Sequence, residues 1–249
     1  EFGHGITSDS SGNVYVTGHT LGGLDSNTSA GSSDFFVVKY NSSGTKQWTQ
    51  QLGTSNDEFA YGITSDSSGN VYVTGHTAGS LDGISSSGKW DLFVVKYNSS
   101  GIKQWIQQLD SSANEQVYSI TSDSSGNVYV TGYTSGGLDG NTSAGLDDLF
   151  VVKYNSSGIK QWTRQLGSNS LDHGYSIVSD NNGNVYVTGK TGGGLDSNIN
   201  MGAWDLFVVK YNSSGIKQWT KQLGTTTYDV GRGITIDSSE SVYVTGYTQ

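Results

Sequence analysis

The chain has 249 residues, with 13 basic and 22 acidic side chains and a formal net charge of −9. It contains no cysteine, which excludes a disulfide framework and a cysteine-type zinc or iron–sulfur site. No apolar run approaches the roughly 20 residues that a membrane helix needs. Scattered lysines in an acidic chain argue against nucleic-acid binding. We therefore expect no membrane insertion and no nucleic-acid partner.

The chain is built from an internal repeat. The string VYVTG returns every 57 residues, and Trp48 and Ile6 each recur with the same step. A regular period of this length predicts a repeat array, which we interpret as a single domain over residues 1–249. The repeats run over residues 1–57, 58–114, 115–171 and 172–228, with a partial fifth repeat over residues 229–249.

Each full repeat is predicted to hold four short strands, which in the first repeat cover residues 5–8, 14–17, 35–40 and 46–52. Turns rich in Asx, Ser and Gly, at residues 9–13 and 41–44, join them as hairpins. The third strand is continuously apolar, which indicates that both of its faces are covered. Radial stacking of four-stranded antiparallel blades covers both faces, so we predict an all-β fold, a β-propeller of five sectors with the fifth blade incomplete. Its GIT strands should be innermost and its KQW strands outermost. The alternative is a β-solenoid-like repeat array.

The pattern GI-T-SD-SSGN-VYVTG, followed by FVVKYNSSG-KQW, resembles the bacterial seven-bladed β-propeller (SBBP-type) repeat family over essentially the whole chain. The resemblance implies a propeller, usually found in exported or surface proteins, and no catalytic residues. The chain departs from the family in copy number, with about 4.4 repeats instead of seven. It also lacks G-x-S-x-G, H-E-x-x-H and glycine-rich phosphate-loop motifs. We therefore expect a protein that is not an enzyme.

Acidic residues recur at two positions, one before the first strand, as at Glu58, and one after it, as at Asp66. Two interpretations stay open. The acids form rings that recruit cations at the ends of a central channel, or the second acid caps its hairpin turn.

The long loop between the second and third strands is a candidate calcium site in repeats one, three and four. Oxygen-bearing side chains at alternate positions, followed by a closing acid, suit Ca²⁺, which takes six to eight oxygen ligands. The closing acids are Asp34, Asp147, Asp148 and Asp205. Ordinary loop capping is the alternative. Repeat two breaks the pattern with Ile84. The candidate ligands are Asp25, Asn27, Ser29, Asp139, Asn141, Ser143, Asp196, Asn198 and Asn200.

Two positions differ between repeats and are candidates for a ligand-binding rim or a protein interface. The first follows VYVTG directly and holds His19, His76, Tyr133, Lys190 and Tyr247. The second lies in the long loop and holds Trp90 and Trp204. A loop tryptophan can stack on a sugar ring, anchor a protein contact, or simply cover the edge of a blade.

These features predict a bacterial extracellular or cell-surface module for adhesion or self-assembly. Its partners would be copies of itself, in an oligomer or filament, or other surface proteins. Self-assembly would use the strand edge of the incomplete fifth blade, formed by Val242, Tyr243, Val244 and Thr245. The other interpretation of this edge is that the chain is a fragment of a longer array, whose next strands would complete the blade. The alternative is a lectin-like propeller that binds glycans.

Overall fold

Eighteen β-strands make up nearly all regular structure in the computed structural model, which describes residues 1–87 and 89–249. Two short 3₁₀ turns, Leu81–Gly83 and Leu195–Ser197, lie in long loops. No helix in the described part of the chain is long and apolar enough to cross a membrane. The strands are β1 (Phe2–Ser8), β2 (Val14–Thr20), β3 (Asp34–Tyr40), β4 (Lys46–Leu52), β5 (Glu58–Ser65), β6 (Val71–Thr77), β7 (Asp91–Tyr97), β8 (Lys103–Leu109), β9 (Glu115–Ser122), β10 (Val128–Thr134), β11 (Asp148–Tyr154), β12 (Lys160–Leu166), β13 (Asp172–Ser179), β14 (Val185–Thr191), β15 (Asp205–Tyr211), β16 (Lys217–Leu223), β17 (Asp229–Ile236) and β18 (Val242–Thr248).

The strands form one four-stranded antiparallel sheet per full repeat, in sequence order, and a final two-stranded sheet of β17 and β18. This confirms the predicted blades and the incomplete fifth one. The chain divides into two compact units, residues 1–120 and 121–249. The single domain expected over residues 1–249 stays a prediction.

Side-chain caps fix the hairpin turns. In the second repeat, Asp66 accepts hydrogen bonds from the backbone N–H groups of Ser68 (2.9 Å) and Asn70 (3.0 Å), and from the Tyr72 hydroxyl (2.9 Å). Gly69 completes the turn at φ +72°, a conformation that favours glycine. Asp9, Asp123, Asp180 and Asp237 make the same kind of cap. The capping interpretation of this acidic position is therefore confirmed.

The acid at the start of the first strand is buried in repeats two to five, whereas Glu1 is exposed. Glu58 is fully buried and accepts hydrogen bonds from the hydroxyls of Thr54 and Thr77, both at 2.7 Å. Burial raises the pKa of Glu58, and the hydrogen bonds from the threonines oppose that shift. This carboxylate therefore ties the loop before β5 to the end of β6.

In the first unit, β1 and β5 lie side by side and carry contacts between the first two sheets. The Ser65 hydroxyl donates to the Ser8 carbonyl at 3.0 Å. Phe35 of β3 stacks on Phe93 of β7 with ring centroids 4.8 Å apart, and both rings are fully buried. The third strands are therefore covered on both faces, as predicted, and the GIT strands occupy the side of each sheet opposite the KQW strands.

The KQW tryptophans form hydrogen bonds to a turn of the next sheet. Trp48 Nε1 donates to the Ser99 carbonyl at 3.2 Å, and Lys39 Nζ donates to the same oxygen at 2.9 Å. In the second unit, Trp162 and Lys153 make the equivalent bonds to the Ser213 carbonyl. The tryptophan is thus part of the stacking between neighbouring blades.

Candidate functional site

The first strand is longer than the sequence predicted and contains a β-bulge. In β1, Gly3 pairs with Gly18 and Gly5 with Thr17, so His4 is an extra residue with no partner in the ladder. The same irregularity occurs at Tyr61, Tyr175 and Arg232. A bulge locally disrupts the ladder and re-aims a side chain. We call these four side chains the bulge residues.

The glycine of VYVTG is required by this bulge. A Cβ on Gly18 would lie 1.8 Å from the Phe2 carbonyl oxygen, and one on Gly189 would lie 1.8 Å from that of His173. Gly75 and Gly246 approach the first strand equally closely. The recurring glycine therefore allows the first strand to come close enough to form the bulge.

In the first unit the bulge residues join a continuous group of rings. We call it the first aromatic cluster. His4 Nε2 and His19 Nδ1 lie 3.0 Å apart, and the His4 ring lies 4.8 Å from that of Tyr61. The Tyr61 ring in turn lies 5.2 Å from His76. The members are Phe2, His4, His19, Phe59, Tyr61, His76 and Trp90.

The histidines of this cluster are held towards the neutral form. Burial lowers the pKa of His76 to about 4, and burial also lowers the pKa of His4 and of His19. His76 is only 5 % exposed, and its Nδ1 has no hydrogen-bond partner in the described structure. Near pH 7 the first cluster is therefore an uncharged aromatic surface with hydrogen-bonding ring nitrogens.

In the second unit the equivalent positions carry cations as well as rings. Lys190 Nζ lies 3.5 Å from the centroid of the Trp204 ring, and the Arg232 guanidinium lies 4.5 Å from that of Tyr175. His173 stacks on Tyr133 at 4.0 Å. We call the group the second aromatic cluster. Its members are Tyr133, His173, Tyr175, Lys190, Trp204, Tyr228, Arg232 and Tyr247.

The structure brings together, within each unit, the variable residues that the sequence singled out. His19 and His76 lie in the first cluster with Trp90, and Tyr133 and Lys190 lie in the second with Trp204. The sequence reasoning missed the bulge residues and the residues at Phe59 and His173. The missed residues do show a signal, because they also differ between otherwise near-identical repeats.

The candidate calcium loops are held by contacts within the protein. Asp25, Asp139 and Asp196 each form a salt bridge with the lysine that begins the fourth strand, namely Lys46, Lys160 and Lys217. Asp82 of repeat two makes the same pair with Lys103, so the interaction does not follow the proposed calcium pattern. The asparagines at 27, 141 and 198 donate to loop carbonyls, as do Ser29, Ser143 and Asn200.

These loops contain no group of three or more His, Cys, Asp or Glu side chains that could hold a metal, and neither does the rest of the described chain. The calcium site was proposed with alternating oxygen ligands and a closing acid, which gives only two or three carboxylates per loop, and it stays a prediction. In this structure each loop aspartate has a lysine ammonium at the place where a cation would bind.

Strand β18 borders an apolar groove of about 720 Å³ in the second unit. Val242, Val244 and Thr245 of β18 are among the residues that line the groove, as are Leu206 and Leu223. In the four-stranded sheets, the strand equivalent to β18 pairs with a third strand, as β2 pairs with β3 from Val14↔Tyr40 to Thr20↔Asp34. The predicted assembly edge therefore lies beside a groove lined by apolar side chains.

The chain has the fold of a repeat-propeller protein. Its four-stranded antiparallel blades follow a regular repeat, and the bulge in the first strand carries a side chain that varies between repeats. The family model for the SBBP beta-propeller repeat matches residues 2–25, 47–82, 104–139, 161–196 and 218–249. The chain belongs to this family.

Two curated proteins are similar to this chain in sequence. The chain is 27 % identical over 258 residues to an uncharacterized WD repeat-containing protein of Acanthamoeba polyphaga mimivirus, an alignment that covers 80 % of this chain and 18 % of that protein. It is 25 % identical over 195 residues to the regulatory protein FlaEY of Caulobacter vibrioides, covering 70 % and 20 %. The chain therefore spans about a fifth of the length of these relatives. Among solved structures, the Neurospora crassa Pan2 WD40 domain aligns with 94 % of this chain and 68 % of that chain, at 9 % identity and a TM-score of 0.49.

Proposed function

We propose that this chain is a non-enzymatic interaction module that binds a protein partner through its two aromatic clusters. One observation carries the proposal: the side chains that vary between near-identical repeats converge in space, while the repeated residues build the blades. Aromatic and arginine side chains of this kind dominate the energetics of protein interfaces. Membership of a repeat-propeller family and the match to a WD repeat-containing protein support a scaffold of this type.

The clusters combine exposure with pre-organisation. Phe2 is 53 % exposed and Tyr247 is 41 % exposed, whereas His76 and His173 are buried beneath the surface rings. A binding surface whose rings are already held by neighbouring rings loses little side-chain entropy when a partner docks. The low charge and absence of cysteine support our further proposal that the module acts outside a bacterial cell or at its surface.

The experiment compares two triple variants as bait. One variant changes the bulge residues Tyr61, Tyr175 and Arg232 to Ser. The matched control changes Ile102, Ile159 and Ile216, which are 62 %, 62 % and 60 % exposed after hairpin turns, to Ser. We expect proteins cross-linked to the parent from an extract of the producing cells to be kept by the control and lost by the bulge variant. Cross-links mapped by mass spectrometry should fall within the aromatic clusters. Equal capture by the bulge variant would overturn the proposal.

A second candidate function is self-assembly, which the groove beside β18 favours. We propose that a strand with the D-L-F-V-V-K-Y pattern from another copy of the chain completes the fifth sheet. The four complete sheets already use such a strand at that place. The apolar groove lining supports a partner of this kind.

A lectin-like function has weaker support. Lys190 Nζ covers one face of Trp204 at 3.5 Å. Trp90 packs against Phe59 and His76 with ring centroids 5.6 and 4.9 Å away. A sugar would have to stack on the remaining ring faces. Glycan-array binding that is lost with Trp90→Ala and Trp204→Ala would favour this function over a protein interface.

A further inference from the structure

The second aromatic cluster holds two cations that lack a carboxylate partner. Lys190 and Arg232 form no salt bridge with any described residue, and each instead lies against an aromatic ring. Lys190 is only 7 % exposed. Keeping a charge this deeply buried without an anion costs free energy, which a ligand anion would recover.

Asp147, the acid whose charge acts on Lys190, and Asp229 of the same strand as Arg232 both accept hydrogen bonds from other groups. Asp147 accepts a hydrogen bond from the Ser135 hydroxyl at 2.7 Å and lies 3.0 Å from His173 Nε2. Asp229 accepts from the Thr225 backbone N–H at 2.6 Å and from its hydroxyl at 2.9 Å. Neither acid forms a salt bridge with Lys190 or Arg232, so the two cations keep their capacity to bind an anion from outside.

The environment also selects the kind of anion. The rings of Tyr175 and Trp204 hold the two cations in place, and Tyr228 lies edge-on to Trp204 with ring centroids 4.8 Å apart. Two separate cations among apolar rings suit successive carboxylates on a peptide. Burial lowers the pKa of Lys190, the positive charge of Arg232 lowers it further, and the negative charge of Asp147 opposes the shift without reversing it. A bound carboxylate would raise this pKa.

We propose that Lys190 and Arg232 form a binding site for an acidic segment of a protein partner, with each cation taking one side-chain carboxylate. This inference rests on the proposed interaction function and names the chemistry of the partner. The repeats position the two residues: Lys190 directly follows VYVTG in β14, and Arg232 is the bulge residue of β17. In the first unit, His19 and His76 stand where Lys190 does, and His4 and Tyr61 where Arg232 does. The acidic site is therefore specific to the second cluster.

The test measures binding of a fluorescein-labelled hexaglutamate peptide by anisotropy at low salt, with hexaglutamine as the neutral control peptide. We expect Lys190→Gln and Arg232→Gln each to weaken hexaglutamate binding at least tenfold, and Lys190→Arg to retain it. The matched control is Lys221→Gln, which removes one exposed lysine from β16 and should bind like the parent. Because the attraction is electrostatic, affinity should also fall as salt rises.

Several outcomes would overturn the proposal. The first is equal affinity for hexaglutamate and hexaglutamine. The second is that Lys221→Gln weakens hexaglutamate binding as much as Lys190→Gln does. The third is that the protein binds oligogalacturonate but not hexaglutamate. Melting curves show whether Lys190→Gln is folded, and Arg232→Gln, whose side chain is exposed, gives an independent reading. If hexaglutamate fails while the cross-linked partner still depends on the bulge residues, the acidic site is wrong and the interaction function stands.

Discussion

At the scale of single residues, each turn aspartate stabilises its hairpin through several hydrogen bonds. Asp66 accepts three hydrogen bonds from its own turn and one from the Tyr72 hydroxyl, and these bonds lower its pKa although burial opposes the shift. Asp66→Ala should therefore lower the free energy of unfolding by about 2–3 kcal/mol, measured by urea denaturation. Asp237→Ala removes the same kind of cap from an exposed turn and should cost less. Equal losses would show that burial of Tyr72 contributes nothing to the effect.

His76 should make the stability of the chain depend on pH. Its pKa is about 4 in the folded chain against an ordinary value of 6.5. Between these values the unfolded chain binds the proton and the folded chain does not, so stability falls as the pH is lowered through this window. The loss between pH 7 and pH 5 should be about 2 kcal/mol. His76→Phe should remove that part of the loss in urea titrations at the two pH values. His19→Phe, at the equivalent but more exposed position, should remove less, and an unchanged slope for His76→Phe would contradict the assignment.

At the scale of strands and turns, substitutions at two equivalent glycines distinguish the cost of backbone strain from the cost of disturbed packing. Gly44 and Gly101 have φ of +77° and +80°. A Cβ on Gly44 meets nothing within 4 Å, whereas one on Gly101 would lie 2.8 Å from the Trp48 ring. Gly44→Ala should cost about 1 kcal/mol from the positive φ alone. Gly101→Ala should cost about 1–3 kcal/mol more, because it also forces Trp48 off the neighbouring turn. Denaturant melts that show the same loss for both variants would rule out the packing role of the tryptophan.

In the long loops, calcium would have to compete with a lysine side chain for the loop aspartate. The loop aspartates of repeats one, three and four form salt bridges with Lys46, Lys160 and Lys217. We therefore expect calcium to bind these loops only by displacing the lysines. Changing the three lysines to Gln should therefore strengthen calcium binding at least tenfold in calorimetry. Adding Asp25→Ala, Asp139→Ala and Asp196→Ala should abolish the heat. Absence of heat in both the parent and the lysine variant would eliminate the calcium site.

The sequence predicted these elements where their signals are local. Turn residues and the unbroken apolar run of residues 35–38 led directly to the hairpins and to a third strand buried on both faces. The first strand was predicted to begin at Gly5, but it begins at Phe2, because glycines at 3 and 5 resemble a loop. The bulge could not be predicted, since one extra residue breaks the alternation by which a strand is detected. The contacts of His4 with His19 and of Lys190 with Trp204 could not be predicted either, because they depend on the register in which the strands pair.

At the scale of the whole molecule, the completion of the fifth sheet is open to a direct measurement. If another copy supplies the third strand, the average mass in analytical ultracentrifugation should rise with protein concentration. Val244→Lys places a charge in the apolar groove and should keep the chain monomeric. Ile199→Lys changes a loop residue that is 78 % exposed, and it should leave the association unchanged. A mass that is independent of concentration in the parent would refute the self-assembly proposal.

The β-bulge has a consequence for how such a chain can be altered. Because a bulge residue has no partner in the ladder, changing it leaves the hydrogen bonds of the flanking pairs, such as Gly3 with Gly18 and Gly5 with Thr17, in place. If the bulge residues make the proposed partner contacts, recognition and the hydrogen bonds of the ladder are encoded at separate positions of the same strand. A combinatorial library restricted to codons 4, 61, 175 and 232 would sample new binding specificities on an unchanged scaffold.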